Sequence, residues 1–518
     1  MLINGVFFAL IAIFAGFLSL LVRRLALKAN IIDNPDGGRK LHQGPMPLLG
    51  GVAIFLAFFF GLAMVRPILL SGNLETRHWL GFFAGALILM IGGFLDDKYN
   101  LRPRWQIIFP ILAALAPIMS GVGIAKLSNP LGGVIIVPAL VSALIIMGWL
   151  LGMMYTTKLL DGVDGLVSGL GVIGSLVIFL FTSTTQYFQP DIALAAWIFA
   201  AACLGFLFLN FNPAKIFLGE GGSLFIGYVL GVLAVISGGK IAIALLIMGL
   251  PILDVVWTII RRLGQGKNPF RFADRQHLHH RLLDLGLSPR QTVGVFYGFA
   301  AIFGLSGLFL QSRGKLVALL ILLAIMLGLI IFFSWWERRR RPSLLFHICC
   351  APCASYTTQK ILSPAYRVTW YFYNPNLSSL TEYNLRLDSV QKAAKIIGVN
   401  LLVAPYQPEP WLKMVAGRET DPEKGERCHL CYRERLVAAY TLAKQKKFSY
   451  FSTSLLVSPY KDGEEIRKIS RQLALPGGPQ FLEQDFQENN GYRLSLAWAK
   501  ERGLYLQKYC GCSFSWRA

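Results

Sequence analysis

Apolar stretches long enough to cross a bilayer recur through the first part of this chain and then stop. They fall at residues 2–22, 49–65, 79–95, 106–124, 134–152, 165–183, 192–209, 222–237, 241–260, 291–311 and 316–336. A bilayer core takes about 20 apolar residues in helical form. Hydrocarbon offers backbone groups no partner but each other, which restricts such segments to helices. The series predicts a polytopic helical membrane domain over residues 1–337 with about eleven transmembrane helices. The N-terminal run lacks a small-residue cleavage site and reads as a first span rather than a cleaved signal. The run Arg338–Arg341, then Pro342, closes the series. We read 338–342 as a basic linker and 343–518 as a separate domain.

Loop charge gives the spans a direction. Alternate loops, together with the tail, hold 21 Lys and Arg, and the opposite loops hold 6. The positive-inside rule then predicts an outer N-terminus and a cytoplasmic C-terminal domain at the plasma membrane. The polar motifs keep the same side. Asp96-Asp97, Asp161 and Asp164, the segment Asn212 to Ser223, and His277, His279 and His280 all lie at predicted cytoplasmic ends. Ionisable groups at membrane ends are costly without a task or a partner. Four such clusters on one face predict a site.

The residue types indicate its chemistry. The carboxylates of Asp96, Asp97, Asp161, Asp164 and Glu220 are hard oxygen donors of the kind that hold Mg²⁺ beside phosphates. Glycine-rich turns around Gly162, Gly165, Gly219, Gly221 and Gly222 allow close backbone approach to a phosphate. The basic loop from Arg261 to Arg281, including Arg275, suits a diphosphate. Lys98, Lys158, Asn212 and Lys215 are further candidates for substrate contact. Together these residues suggest metal-assisted phosphoryl transfer at a membrane surface.

The segments FLDDKYNLRPRWQ, LLDGVDGLVSGL, FNPAKIFLGEGGSLFIG and NPFRFADRQHLHHRLLDLG, with DNPDGGRKLHQGPMPLLGG near the start, resemble the polyprenyl-phosphate HexNAc-1-phosphate transferases of the WecA/TagO/MraY superfamily. The resemblance covers roughly residues 1–335. It implies transfer of a HexNAc-1-phosphate, such as GlcNAc-1-phosphate, from a UDP-amino-sugar to undecaprenyl phosphate with release of UMP. It also implies roles. Asp96 and Asp97 bind or deprotonate the lipid phosphate, Asp161 and Asp164 hold nucleotide and metal, and His277, His279 and His280 contact the diphosphate. Glu220 stands at the Mg²⁺ position. The family usually has Asp where Glu220 stands and Asn where Tyr155 and Lys158 stand. These departures bear on donor specificity and on activity.

Past Pro342 the pattern changes to strand, turn and helix in alternation: LLFHIC, RVTWYFY, LRLDSVQKAAKIIG, NLLVAPY, RERLVAAYTLAKQKKF and YFSTSLLV. That alternation predicts an α/β, Rossmann-like domain with a mainly parallel sheet. Ligands in such folds sit at the carboxyl ends of strands. Cys349, Cys350 and Cys353 follow the first strand. Cys428, Cys431, Cys510 and Cys512 complete seven of the eight cysteines in the chain, and Cys203 lies within a span as a packing residue. A cytoplasmic domain excludes a disulfide framework. Seven thiols exceed the four ligands of Zn²⁺ and favour an iron–sulfur cluster. The domain carries 23 Lys and Arg against 15 Asp and Glu. That surplus suits nucleic acid and suits a plain solvated surface equally well.

FHICCAPC, FYNPNL, ERCHLCYRERL, FSTSLLVSPY, FLEQDF and QKYCGCSFS resemble the QueH family of epoxyqueuosine reductases over nearly all of 343–518. The resemblance implies reduction of epoxyqueuosine to queuosine in tRNA, with a [4Fe-4S] cluster, an additional iron and an electron donor. It assigns Cys349, Cys350, Cys428, Cys431, Cys510 and Cys512 to the metals, with Cys353 a candidate seventh ligand and Asp485, in FLEQDF, a candidate acidic site residue. Tyr373, Tyr432 and Tyr460 are candidates to stack an anticodon base. Lys444, Lys446, Lys447, Arg467, Lys468 and Arg471 are candidates for tRNA phosphate. The whole reads as a bifunctional chain. The alternatives are that one half alone is active, with the membrane part as anchor or the tail as a metal-bound regulatory module.

Overall fold

The computed structural model describes residues 2–34, 44–70, 72, 74–128, 133–184, 187–237, 241–264, 266, 276–363 and 365–515. Two compact units divide the chain, Met1–Ile331 and Phe332–Ala518.

The first unit is helical. Its main helices are α1 (Leu2–Lys28), α2 (Gly50–Met64), α3 (Thr76–Tyr99), α4 (Ile108–Met119), α5 (Ala139–Leu160), α6 (Leu166–Thr182), α7 (Pro190–Asn210), α8 (Gly219–Ile236), α9 (Ile241–Ile247), α10 (Gly249–Gly264), α11 (Leu278–Asp284), α12 (Pro289–Phe309) and α13 (Ser312–Arg340). Among the described residues, seven helices are long and apolar enough to cross a membrane. The pair α9 and α10 is bent by 80° at Met248, and three shorter apolar helices accompany it. Helices apolar on every side belong in lipid or in a large core. Leu10, Ile13, Leu144, Ile302 and Phe309 accordingly stay exposed on the outside. Cys203 is buried within α7, as packing requires.

The centre of the unit is α8, which is buried over nearly its whole length. It packs against α2, α3, α5 and α6. Glycines make the approach possible. A Cβ on Gly51 of α2 would stand 2.1 Å from the Cα of Gly222, and one on Gly93 of α3 would stand 2.2 Å from the Cα of Gly221. Small residues at such crossings replace side-chain packing with direct backbone contact.

The last helix runs on through Arg340, so three of the four arginines extend it. Arg339 and Arg340 lie over the rings of Trp335 and Trp336, each at 4.1 Å.

The second unit is a five-stranded parallel sheet. Its strands are β1 (Ser343–Ile348), β2 (Arg367–Phe372), β3 (Asn400–Val403), β4 (Tyr450–Thr453) and β5 (Gln480–Phe481). They lie in the order β3-β2-β1-β4-β5. Leu344 pairs with Val368 on one side and Tyr450 on the other. The helices are α14 (Ala351–Tyr356), α15 (Leu380–Ile397), α16 (Glu426–Gln445), α17 (Gly463–Leu473) and α18 (Gly491–Glu501). The hydroxyl of Ser379 accepts the Glu382 N–H to start α15, and Gly398 at φ 76° ends it, as caps of these types do.

Two local expectations change. YFSTSLLV is a strand only to Thr453, because the Thr453 hydroxyl accepts the Leu455 N–H and turns the chain into a short 3-10 segment. The helix expected from Arg433 begins at Glu426, so Cys428 and Cys431 sit in its first turns. The two-residue β5 is too short to leave a strand pattern.

Gly51→Ala and Gly93→Ala each place a methyl where backbone stands, and a cost of about 1–3 kcal/mol is expected from overpacking. Gly148 and Gly152 of α5 have open space at the same position. Gly148→Ala is expected to be neutral or slightly stabilising. Thermal unfolding of the detergent-purified chain, read beside its monodispersity, checks both.

Candidate active sites

In the membrane unit the acidic residues are drawn to helix ends. Asp97, at the end of α3, accepts the Glu220 N–H at 3.0 Å and so caps the start of α8. Gly219 turns there at φ 74°, and a Cβ on it would stand 2.4 Å from Asp97 Oδ2. Only glycine suits both demands. Asp96 accepts the Leu101 N–H and the Gln106 amide, both at 2.9 Å, which closes the end of α3. Asp164 accepts the Asn212 amide at 2.9 Å and the Ala214 N–H at 3.0 Å. Asn212 thereby serves the loop itself, and its carbonyl accepts from Arg290 Nε at 2.9 Å. Asp161 is exposed. No described residue donates a hydrogen bond to its carboxylate.

The histidines meet the acidic turn. A Cβ on Gly162 would lie 3.1 Å from His279 Nε2 and 3.7 Å from His280 Nε2. His277 and His279 are stacked with centroids 5.7 Å apart. The Nδ1–H of His277 donates to Asp254 at 2.8 Å, and the Leu278 N–H donates to the other oxygen at 2.9 Å. That contact sets which His277 nitrogen faces outward. Burial, and then the charges of His280 and His277, hold His279 well below its ordinary pKa.

Sequence reading passed over Asp254, although a lone Asp in an apolar helix is a signal in itself. It also passed over Asn210, which accepts from Gly165 N–H and Ser168 Oγ and donates to the Ile216 carbonyl. Lys158 is ion-paired with Glu220. Lys98 is exposed with its ammonium 5.2 Å from the Tyr99 ring, and Lys215 is exposed as well. Arg275 lies outside the described residues.

A divalent cation needs several hard oxygens turned on one point. Among the described residues Asp96, Asp97, Asp164 and Glu220 are engaged by backbone N–H groups, amides and one ammonium, Asp161 is not, and no three converge. As arranged, the set does not fit Mg²⁺.

In the second unit the strand order reverses beside β1, and the crevice between β1 and β4 is where such sheets bind ligands. Cys349 stands there. Its N–H donates to Ser454 Oγ at 3.1 Å. His347, fully buried, bonds Thr453 Oγ1 at 2.8 Å and the Tyr373 carbonyl at 2.9 Å, tying the strand ends together. The ligand atoms of Cys349, Cys350 and Cys353 all lie within 4.8 Å of one another. Hydrogen bonds from Cys350 and Cys353 hold the Cys349 thiol well below its ordinary pKa, and the same contacts push the other two up.

Two of the remaining four thiols accept from a cation. Lys461 Nζ donates to Cys510 Sγ at 2.7 Å, and Arg435 Nη2 to Cys431 Sγ at 3.0 Å. Burial raises Cys510, but Lys461 and then Arg435 outweigh it and hold the thiol low. Cys428 is half-buried on the same helix turn as Cys431, and Cys512 is buried against Trp411. Seven thiols, three of them clustered and others beside fixed cations, fit a soft-metal centre.

Arg435 follows Cys431 at helical spacing, a signal the sequence contained. Lys461 left none. Asp485 is exposed and accepts the Gln487 N–H at 2.9 Å, an ordinary loop contact. Tyr373 donates to Glu434, Tyr432 is buried, and Tyr460 is exposed against Tyr492. Arg467, Lys468 and Arg471 are paired with Glu464, Glu465 and Glu483. Lys444, Lys446 and Lys447 are exposed.

Residues 79–238 match the family model for glycosyl transferase family 4, and residues 344–518 match the model for epoxyqueuosine reductase QueH. A probable undecaprenyl-phosphate N-acetylglucosaminyl 1-phosphate transferase of Bacillus subtilis is 33% identical over 314 residues, 59% of this chain and 85% of that protein. An epoxyqueuosine reductase QueH of Streptococcus pyogenes is 35% identical over 180 residues, 34% of this chain and 70% of that protein. The chain belongs to both families. A third relative, the Yersinia pestis undecaprenyl-phosphate alpha-N-acetylglucosaminyl 1-phosphate transferase, is 27% identical over 55% of this chain and 78% of its own length. The transferase family accounts for the helical unit and the QueH family for the sheet. Both are enzyme families.

The QueH unit has one clamp that its thiols depend on. Arg386, fully buried, pairs with Glu382 at 2.7 Å and donates to the carbonyls of Cys510 at 3.1 Å and Tyr509 at 3.2 Å. Arg386→Met leaves the buried Glu382 without its cation and with only the Tyr505 hydroxyl donating to it at 2.8 Å, which costs up to about 3–5 kcal/mol. The expected result is a lower unfolding midpoint and lost iron. Arg386→Met with Glu382→Leu is expected to recover part of the stability and none of the iron. Denaturant unfolding and metal analysis separate the two.

Proposed function

We propose that this chain carries two activities. The membrane unit transfers HexNAc-1-phosphate from a UDP-amino-sugar to undecaprenyl phosphate, and the sheet unit reduces epoxyqueuosine in tRNA. The observation that favours the first is the meeting of His279 and His280 with the Gly162 turn between Asp161 and Asp164. The observation that favours the second is the three-thiol group at the strand switch point.

In the first reaction a lipid phosphate oxygen forms a bond to the sugar-proximal phosphorus, and the bond to UMP breaks. Asp161 is the carboxylate open to substrate. Asp96, Asp97 and Asp164 hold the surrounding helix ends and loop. His279 and His280, which stand against the Gly162 turn, contact the diphosphate, with His277 fixed by Asp254. Asp254 and Asn210 are positioning residues.

In the second reaction two electrons and two protons remove the epoxide oxygen as water. An iron–sulfur cluster and an additional iron, held by the seven cysteines, supply electrons and a Lewis acid when bound. Lys461, with Arg435, holds Cys510 toward the thiolate form that metal binding needs, and Arg435 donates to the Cys431 sulfur. The exposed Tyr460 beside Tyr492 offers a ring to an unstacked base. The exposed Lys444, Lys446 and Lys447 are candidates for tRNA phosphate. Asp485 stays a weaker acidic candidate.

The seven long helices, the three shorter ones and the bent pair support eleven membrane segments. The parallel order β3-β2-β1-β4-β5 supports a Rossmann-like domain. Loop charge supports an outer N-terminus and a cytoplasmic sheet unit.

Detergent-solubilised chain is expected to release UMP from UDP-GlcNAc only when polyprenyl phosphate is present. Asp161→Asn should lower that rate at least about 100-fold, as loss of a reacting-site group does, and leave iron content unchanged. Cys510→Ser should do the reverse, losing iron and queuosine formation with UMP release intact. UMP release without lipid acceptor, or a full rate in Asp161→Asn, would overturn the transferase assignment. A colourless, iron-free protein from anaerobic preparation would overturn the reductase assignment.

A further inference from the structure

The Lys158–Glu220 pair sits at the centre of the acidic face. Lys158 lies on the last turn of α5 and Glu220 on the first turn of α8. The ammonium meets Glu220 Oε1, and the two side chains are 23% and 18% exposed. Nζ also lies 3.5 Å from the Gln106 amide oxygen, and the same amide donates to Asp96 at 2.9 Å. The Tyr155 ring lies 5.8 Å behind the ammonium, one turn back on α5. Asp97 is bonded to the Glu220 N–H. One ammonium thus satisfies Glu220 and links it, through Gln106, to Asp96.

We infer that Lys158 is a tethered cation occupying the place a divalent metal takes at Glu220, so that a metal binds this face weakly while Lys158 is present. The inference rests on the transferase reading only for the choice of Glu220 as the metal carboxylate. A tethered ammonium competes at a local concentration no dissolved ion matches at low dose. It is also a compact point charge with three donors, able to hold carboxylate and amide oxygen together. The metal must therefore displace Lys158 before it gains Glu220.

The test uses the full chain in detergent and Mn²⁺ as the probe, with free Mn²⁺ read by EPR. Lys158→Met and Lys158→Gln are compared with the unaltered chain, with Glu220→Gln, and with Lys158→Met/Glu220→Gln. The expected result is binding at least about tenfold tighter in Lys158→Met and Lys158→Gln, with the gain abolished by Glu220→Gln. In the absence of metal, Lys158→Met should unfold at lower temperature, and Mn²⁺ should restore it. Equal, Glu220-dependent affinity with and without Lys158 would overturn the inference and leave the transferase reading standing. Absence of Glu220-dependent binding in every variant would overturn the metal position as well, and UMP release then judges the transferase reading by itself.

Discussion

The contact between Asp97 and the first turn of α8 organises the membrane unit. A carboxylate at a helix N-terminus answers both the unpaired N–H groups and the helix dipole. Here it also joins two helices whose backbones already touch through Gly93 and Gly221. Glu220 is fixed on that turn, Lys158 reaches it from α5, and Gln106 ties the pair to Asp96. The acidic face is therefore a chain of mutually satisfied groups, with Asp161 left open at its edge.

The same logic governs the sheet unit with different chemistry. A parallel sheet leaves a crevice where its winding reverses, and the chain places Cys349 and Ser454 on its two sides. Thiols buried together favour neutral forms unless cations are near. Lys461 and Arg435 supply them for Cys510, whereas at Cys431 burial outweighs the neighbouring Arg435. Arg386 then anchors the last thiol segment through backbone carbonyls rather than through sulfur. Thiolate chemistry and chain positioning are thus assigned to separate cations.

Much was legible before the structure. Apolar length located the helices because hydrocarbon admits little else, and short apolar runs between turn residues located the main strands. Asp161, His279 and His280 were legible as motif members, and the structure brings them to one turn. The rest depended on partners remote in sequence. Lys461 meets Cys510 across 49 positions, and His277 meets Asp254 across 23. Arg467, Lys468 and Arg471 were candidates for phosphate, and the fold gives each an acidic neighbour, on α17 or at Glu483, that the linear reading did not pair with them.

The sequence alone determined the two architectures and the residue types available for phosphate and for metal. Those follow from local periodicity and side-chain chemistry, which neighbours along the chain suffice to express. Only the tertiary structure decided which carboxylates are open and which are spent. Asp97 and Asp164 are consumed by backbone N–H groups, Glu220 is met by Lys158, and Asp161 stands clear. A carboxylate's role depends on the donors within about 3 Å of it, and those donors come from helices that meet only in the folded chain.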